Sequence, residues 1–247
     1  MALSGAQAYI TPMQGTLGKG QTLSVYDIGT VPYREALELQ HTLVGRRQRE
    51  EIGDMLLLLE HPPVVTMGRS AVADHVLAPE SVIERAGGTV EYIERGGETT
   101  YHGPGQLVGY AILDLRAHLR SLKKFVYLLE EVFIRYLRDA HDITAGRDPD
   151  HRGVWVADEK ITALGIAVQR RVTFHGFAFN VNTNLSHFDW IIPCGITDRS
   201  QTSLRQITGR LQEMSAVKEG VARAFADIFG YRWDSFASAS PERLRAG

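Results

Sequence analysis

Apolar and polar residues change their spacing several times along this chain, and each change marks an element. Leu23 to Ile28 reads as a first strand, and Tyr33 to about Glu51 as a helix with apolar positions at Ala36, Leu37, Leu43 and Val44. Met55 to Leu59 is an unbroken apolar run, a buried strand stopped at Glu60-His61-Pro62-Pro63, because consecutive prolines remove ladder donors. Pro79 to Ala86 predicts a short helix ended by Gly87-Gly88, and Thr89 to Ile93 and Leu107 to Leu113 predict two more strands. From about Ser121 to Asp139 a stripe at helical spacing, Leu122 through Phe133 to Leu137, predicts a long helix with one core face. Gly153 to Ala157 and Ile161 to Gln169 flank Asp158-Glu159-Lys160 as a hairpin. Val172 to Val181 is apolar on both parities, which predicts a central strand buried on both faces. Ser215 is the expected cap of a last helix through Val221, Phe225 and Ile228, with Gly230 just beyond it. The small, polar tail from Ala237 is expected to fray.

Strands that precede helices, with hairpins in place of regular β-α-β alternation, predict an α+β fold with a mixed, mostly antiparallel sheet flanked by helices. With no low-complexity linker and no internal repeat, residues 1–247 are expected to form a single domain.

Composition narrows the function classes. The chain has 247 residues, 44% of them hydrophobic, and its 27 basic and 29 acidic residues leave a formal charge of −2. No overall field favours nucleic acid or an anionic membrane. The small clusters Arg46, Arg47, Arg49 and Lys123, Lys124 read as solvated helix faces, and are the candidates for docking an acidic protein. A single cysteine rules out an intrachain disulfide and a cysteine-rich zinc site, and so points to a reducing compartment, with cytoplasm the default. The start of the sequence carries no basic region followed by an apolar stretch, and no apolar run approaches the roughly 20 residues that span a bilayer. No signal peptide and no membrane segment are expected.

Chemistry concentrates in a few segments. Arg95-Gly-Gly-Glu-Thr-Thr-Tyr-His-Gly-Pro-Gly-Gln-Leu-Val108 combines four glycines with Arg95, Thr99, Thr100 and His102, the composition of a ligand cradle on a loop held by a strand. Cys194 sits between Pro193 and Gly195 in a tight loop that can expose sulfur. A thiol of pKa about 8.5 needs a positive neighbour to act as a nucleophile, and Lys160, His102 and His175 are the available activators. In His175-Gly-Phe-Ala-Phe-Asn180, aromatic residues alternate with small ones, a pattern suited to a narrow apolar channel. There is no His-Glu-x-x-His, no cysteine pair and no Walker loop, so neither metal nor a nucleotide is expected.

Taken together, the Arg95 to Val108 block, Gly153-Val-Trp155, Lys160-Ile-x-Ala-Leu-Gly165, Val172-Thr-x-His-Gly-Phe-Ala-Phe-Asn-Val181 and Pro193-Cys-Gly-Ile196 with Thr202-Ser-Leu204 resemble the octanoyltransferases of lipoate biosynthesis. The resemblance also takes in Glu60 to Arg69 and is strongest over residues 27–210. Ala111 and Glu98 depart mildly from the family pattern. The resemblance implies the fold of the biotin and lipoate ligase catalytic domain and a cytoplasmic, monomeric enzyme without a cofactor. It would move an octanoyl group from octanoyl-acyl carrier protein to a lysine of a lipoyl domain, in 2-oxoacid dehydrogenase complexes or the glycine cleavage H protein. Carried over block by block, it makes Cys194 the acyl nucleophile and Lys160 its activator. The acyl pocket would be formed by Arg95, Gly96, Gly97, Glu98, Thr99, Thr100, Tyr101, His102, Ala163, Leu164, Gly165, Gly176, Phe177 and Ala178, with His61 and His175 in support. An ATP-dependent lipoate or biotin ligase, a thioesterase and a non-catalytic acyl-binding module are the rival readings.

Overall fold

The computed structural model describes residues 20–94, 97–115, 121–233 and 236–246, with Cys194 described by its backbone. Ten strands are described: β1 (Ser24–Thr30), β2 (Met55–Glu60), β3 (Val64–Met67), β4 (Thr89–Tyr92), β5 (Thr99–His102), β6 (Gln106–Ile112), β7 (Val154–Val156), β8 (Glu159–Gln169), β9 (Val172–Asn180) and β10 (Phe236–Ser238). The α-helices are α1 (Tyr33–Gln48), α2 (Glu80–Arg85), α3 (Leu122–His141), α4 (Leu204–Thr208), α5 (Met214–Phe229) and α6 (Pro241–Ala246). Seven strands form one sheet in the order β10-β1-β2-β6-β9-β8-β7, and β4-β3-β5 form a second. Only the β1–β10, β1–β2 and β3–β4 pairs are parallel, so the sheets are mixed and mostly antiparallel.

The large sheet is the middle of three layers. Alternation along β2 sends Leu56 and Leu58 to one face, against Phe133 of α3 and Phe225 of α5, while Leu57 and Leu59 meet Leu39 and Leu43 of α1 on the other. Both faces being covered explains why β2 and β9 read as continuous apolar runs. Each large aliphatic or aromatic side chain fully buried this way contributes about 2 kcal/mol. α3 starts where the Ser121 hydroxyl accepts from the Lys124 N–H (3.3 Å) and stops at Asp142, which adopts a left-handed conformation.

Several expectations change. The buried stripe of α1 uses Leu39 at 0% exposure rather than Leu37, which is half-buried. The tip of the β7–β8 hairpin is Ala157-Asp158, so Lys160 lies inside β8 and is buried. α5 is capped by Glu213, whose carboxylate accepts from the Ser215 N–H; Ser215 itself lies within the first turn. From Ala237 to Ala246 the chain forms regular elements rather than a frayed tail. β10 adds to the edge of β1, and α6 packs on α1, where Arg46 donates to the Leu244 carbonyl (3.0 Å). Arg47 is not solvated either: its guanidinium reaches Asp54 (2.7 Å) and Asp114 (3.9 Å) in the interior. The supposed basic docking face of α1 is therefore largely an internal ion-pair and packing surface.

Candidate active site

Lys160 is the second residue of β8 and is only 4% exposed. Its backbone ties down the segment that follows Cys194. The Lys160 N–H donates to the Ser200 carbonyl and the Thr202 N–H donates to the Lys160 carbonyl, both at 3.0 Å. Its Nζ stands 4.8 Å from the centre of the Trp155 ring, a cation over an aromatic face in a largely dry setting. Cys194 is carried on a 3-10 turn, Pro193–Gly195, and this turn is anchored in two directions. The Ile192 N–H donates to the His75 carbonyl (2.8 Å), and β5 packs against the turn. Gly195 has φ +67°, and a β-carbon there would stand 2.8 Å from Glu98 Oε2, so glycine is what lets the carboxylate lie against the turn.

The predicted cradle is part strand and part loop. Arg95 and Gly96 lie outside the described residues. The Gly97 and Glu98 carbonyls accept from the Ser70 and Gly68 N–H groups, and Thr99 to His102 form β5, all four buried. The strand period then separates them. Thr100 and His102 line a narrow cavity of about 50 Å³. Tyr101 turns to the opposite side, where its hydroxyl meets His187 Nδ1 (2.7 Å) and its ring packs on Phe188 and Trp190. Thr99 is buried and lines neither this cavity nor the cleft next to it.

Ala163, His175, Gly176 and Ala178 complete the narrow cavity with Val108, Tyr33 and Tyr110. Phe177 borders it too, but its ring packs on Phe133 of α3 (centroids 4.7 Å apart). A larger cleft of about 500 Å³ is bordered by Lys160, Glu98, Arg152, Leu122 and Ile196. Gly97, Leu164 and Gly165 border both, so the narrow slot and the cleft meet at these residues. The slot is mostly apolar and the cleft carries charge, an arrangement that can take an aliphatic chain with a polar reacting end.

Hydrogen bonds fix the polar groups around the slot. His61 is fully buried: its Nδ1 donates to the Val31 carbonyl (2.6 Å), so Nε2 accepts from the Tyr110 hydroxyl (2.6 Å). Burial pushes the His61 imidazole down to about 4, which keeps it neutral at pH 7. His102 Nδ1 donates to Gln106 Oε1 (2.8 Å), and Gln106 Nε2 donates to Asn180 Oδ1 (3.0 Å) and to the Tyr101 carbonyl (3.2 Å). His175 has φ +57° in the middle of β9, a conformation uncommon outside glycine, held by its N–H donating to Gln40 Oε1 (2.7 Å). Such strain collects at functional sites.

The sequence did not single out Tyr33, Tyr110, His75 or Arg152, and it marked Trp155 as part of a motif without giving it a role. Tyr110 directly follows the glycine-rich block and could have been found there; the others come from distant segments. No group of three or more potential metal-ligating side chains is found among the described residues.

Comparison with known proteins gives the family and the fold. The model of the lipoyl protein ligase A/B catalytic domain matches residues 32–226. An octanoyltransferase of Desulforamulus reducens is 47% identical over 85% of this chain and 92% of its own. One of Caldicellulosiruptor bescii is 50% identical over 84% and 92%. Among solved structures, lipoate-protein ligase A bound with ATP superposes with a TM-score of 0.72 at 14% identity, covering 92% of this chain and 93% of that one. The bipartite lipoate protein ligase of Thermoplasma acidophilum does so with a TM-score of 0.68 at 15% identity, covering 92% and 90%. These structures share the α+β fold, and sequence identity carries the finer assignment: the chain belongs to the lipoyl protein ligase A/B catalytic domain family, as an acyltransferase of its octanoyltransferase group.

Proposed function

We propose that the enzyme transfers an octanoyl group from octanoyl-acyl carrier protein to a lysine of a lipoyl domain, through a thioester on Cys194, without ATP or another cofactor. The octanoyl chain occupies the slot between β8, β9 and β5, and the thioester carbonyl lies in the cleft. Cys194 attacks as thiolate, the C–S bond to the carrier breaks, and Lys160 gives its proton to the departing carrier thiolate. The acceptor amine then attacks the acyl-enzyme. The C–S bond to Cys194 breaks and regenerates thiolate, Lys160 takes back one proton, and the second goes to solvent. Because a thioester is already activated, no nucleotide is consumed. The reading places the protein in the cytoplasm, where the lone thiol stays reduced.

The observation that carries this reading is a buried lysine whose own backbone anchors the segment following the only cysteine. Intact-mass measurement after mixing with octanoyl-carrier protein tests it. One octanoyl adduct is expected on the wild type and none on Cys194→Ala, which should lose transfer while keeping its fold. Transfer by Cys194→Ala at the wild-type rate, or a requirement for ATP, overturns it.

A further inference from the structure

The cleft beside the cysteine turn holds an acidic side chain for which acyl transfer as written has no role. We propose that Glu98 admits the acceptor amine, holding it as an ammonium ion next to Cys194 until it gives up its protons; the inference rests on the reading in which a lysine amine is the acceptor.

An aliphatic amine with a pKa near 10.4 arrives charged at neutral pH. The cleft it must enter is bordered by Arg152, a cation that repels it, and by Lys160, which is neutral at this stage because its proton has left with the carrier thiol. Glu98 borders the same cleft and is the acid placed against the turn that carries Cys194, its Oε2 lying beside Gly195. Its Oε2 is out of solvent and stands 3.1 Å from His75 Nδ1, and the His75 carbonyl holds Ile192 just ahead of the turn. The side chain as a whole stays 31% exposed, so part of it still faces incoming substrate. A second acid, Asp150, also borders the cleft, but it belongs to the Asp148 turn, where its N–H donates to Asp148 Oδ1 (2.9 Å). Glu98 thus combines a place against the cysteine turn, partial exposure to the cleft and the charge a cationic acceptor requires.

The test separates charge recognition from support of the turn. Octanoyl-enzyme is preformed, and its discharge is followed at neutral pH with two nucleophiles, N-acetyl-lysine amide, which is a cation, and hydroxylamine, which is uncharged. Glu98→Gln is expected to slow discharge by the lysine amide about tenfold, the effect of one charge pair in a partly screened site, and to leave hydroxylamine discharge unchanged. Glu98→Asp should recover most of the loss. Equal slowing with both nucleophiles would make Glu98 a support for the turn, and unchanged lysine-amide discharge would remove it from acceptor recognition; either overturns the proposal. Wild-type enzyme that forms no octanoyl adduct would instead overturn the underlying acyl-transfer reading.

Discussion

Gly176 of β9 lies so close to Gly109 of β6 that a β-carbon on Gly176 would stand 2.0 Å from the Gly109 carbonyl oxygen. Gly176 is small because a neighbouring backbone occupies the space, not because it leaves room for a ligand. Gly176→Val should therefore separate β6 from β9 and cost about 3 kcal/mol or more, read as a lowered Tm. Ala163→Val, at another position lining the slot, should fold and shorten the acyl group accepted. Each methylene excluded is worth about 0.8 kcal/mol, roughly fourfold in KM. A Gly176→Val protein as stable as wild type contradicts this picture.

His61 gives stability a pH dependence of definite sign. Its pKa falls from 6.5 in the unfolded chain to about 4 in the folded one because burial disfavours the imidazolium. The unfolded state therefore binds more protons between these values, and the contribution is full above pH 6.5 and lost as pH falls toward 4. Its ceiling is about 3 kcal/mol. Denaturation of wild type and His61→Gln from pH 7.5 to 4.5 should show the difference between them shrinking with acid; a constant difference counts against it.

Lys160→Arg keeps the positive charge but cannot take a proton from the acceptor. Single-turnover kinetics should show Cys194 still acylated and discharge to the lipoyl domain at least about 100-fold slower. Equal losses in both half-reactions would reject the two roles assigned to the lysine.

Arg47→Met leaves the buried Asp54 carboxylate without its guanidinium (2.7 Å), while Asp114 keeps Arg171 (2.7 Å). Loss of one partner of such a pair costs about 3 kcal/mol. Chemical denaturation should report that loss, while kcat/KM for the carrier-bound donor, measured per folded molecule, stays at the wild-type value.

Which features were legible in the sequence follows from what each depends on. The long α3 stripe and the two-faced β9 depend on local periodicity, and both are present with close to the expected bounds. The position of Lys160 within β8, the two sides of β5 and the capping of α5 depend on one or two residues of register, which apolar spacing does not resolve. β10 and α6 carry few large side chains; their order comes from partners at the other end of the chain, Asp27 on β1 and the face of α1. At the site, the glycine-rich block and the Lys160 and Cys194 segments stood out because unusual residues cluster there. His75 did not, since its place beside Glu98 comes from the pairing of residues 75–78 with 190–192.

The parallel pairing of β10 with β1 has a consequence for how the protein is made. β1 precedes every other described strand in the chain, yet the strand that covers its outer side comes from the far end of the described residues. Until Phe236–Ser238 has been made, β1 presents an unpaired edge that is open to other nascent chains. Aggregation should therefore be most acute before release, and a stop codon placed ahead of Phe236 should yield insoluble protein with its transfer machinery otherwise encoded in full.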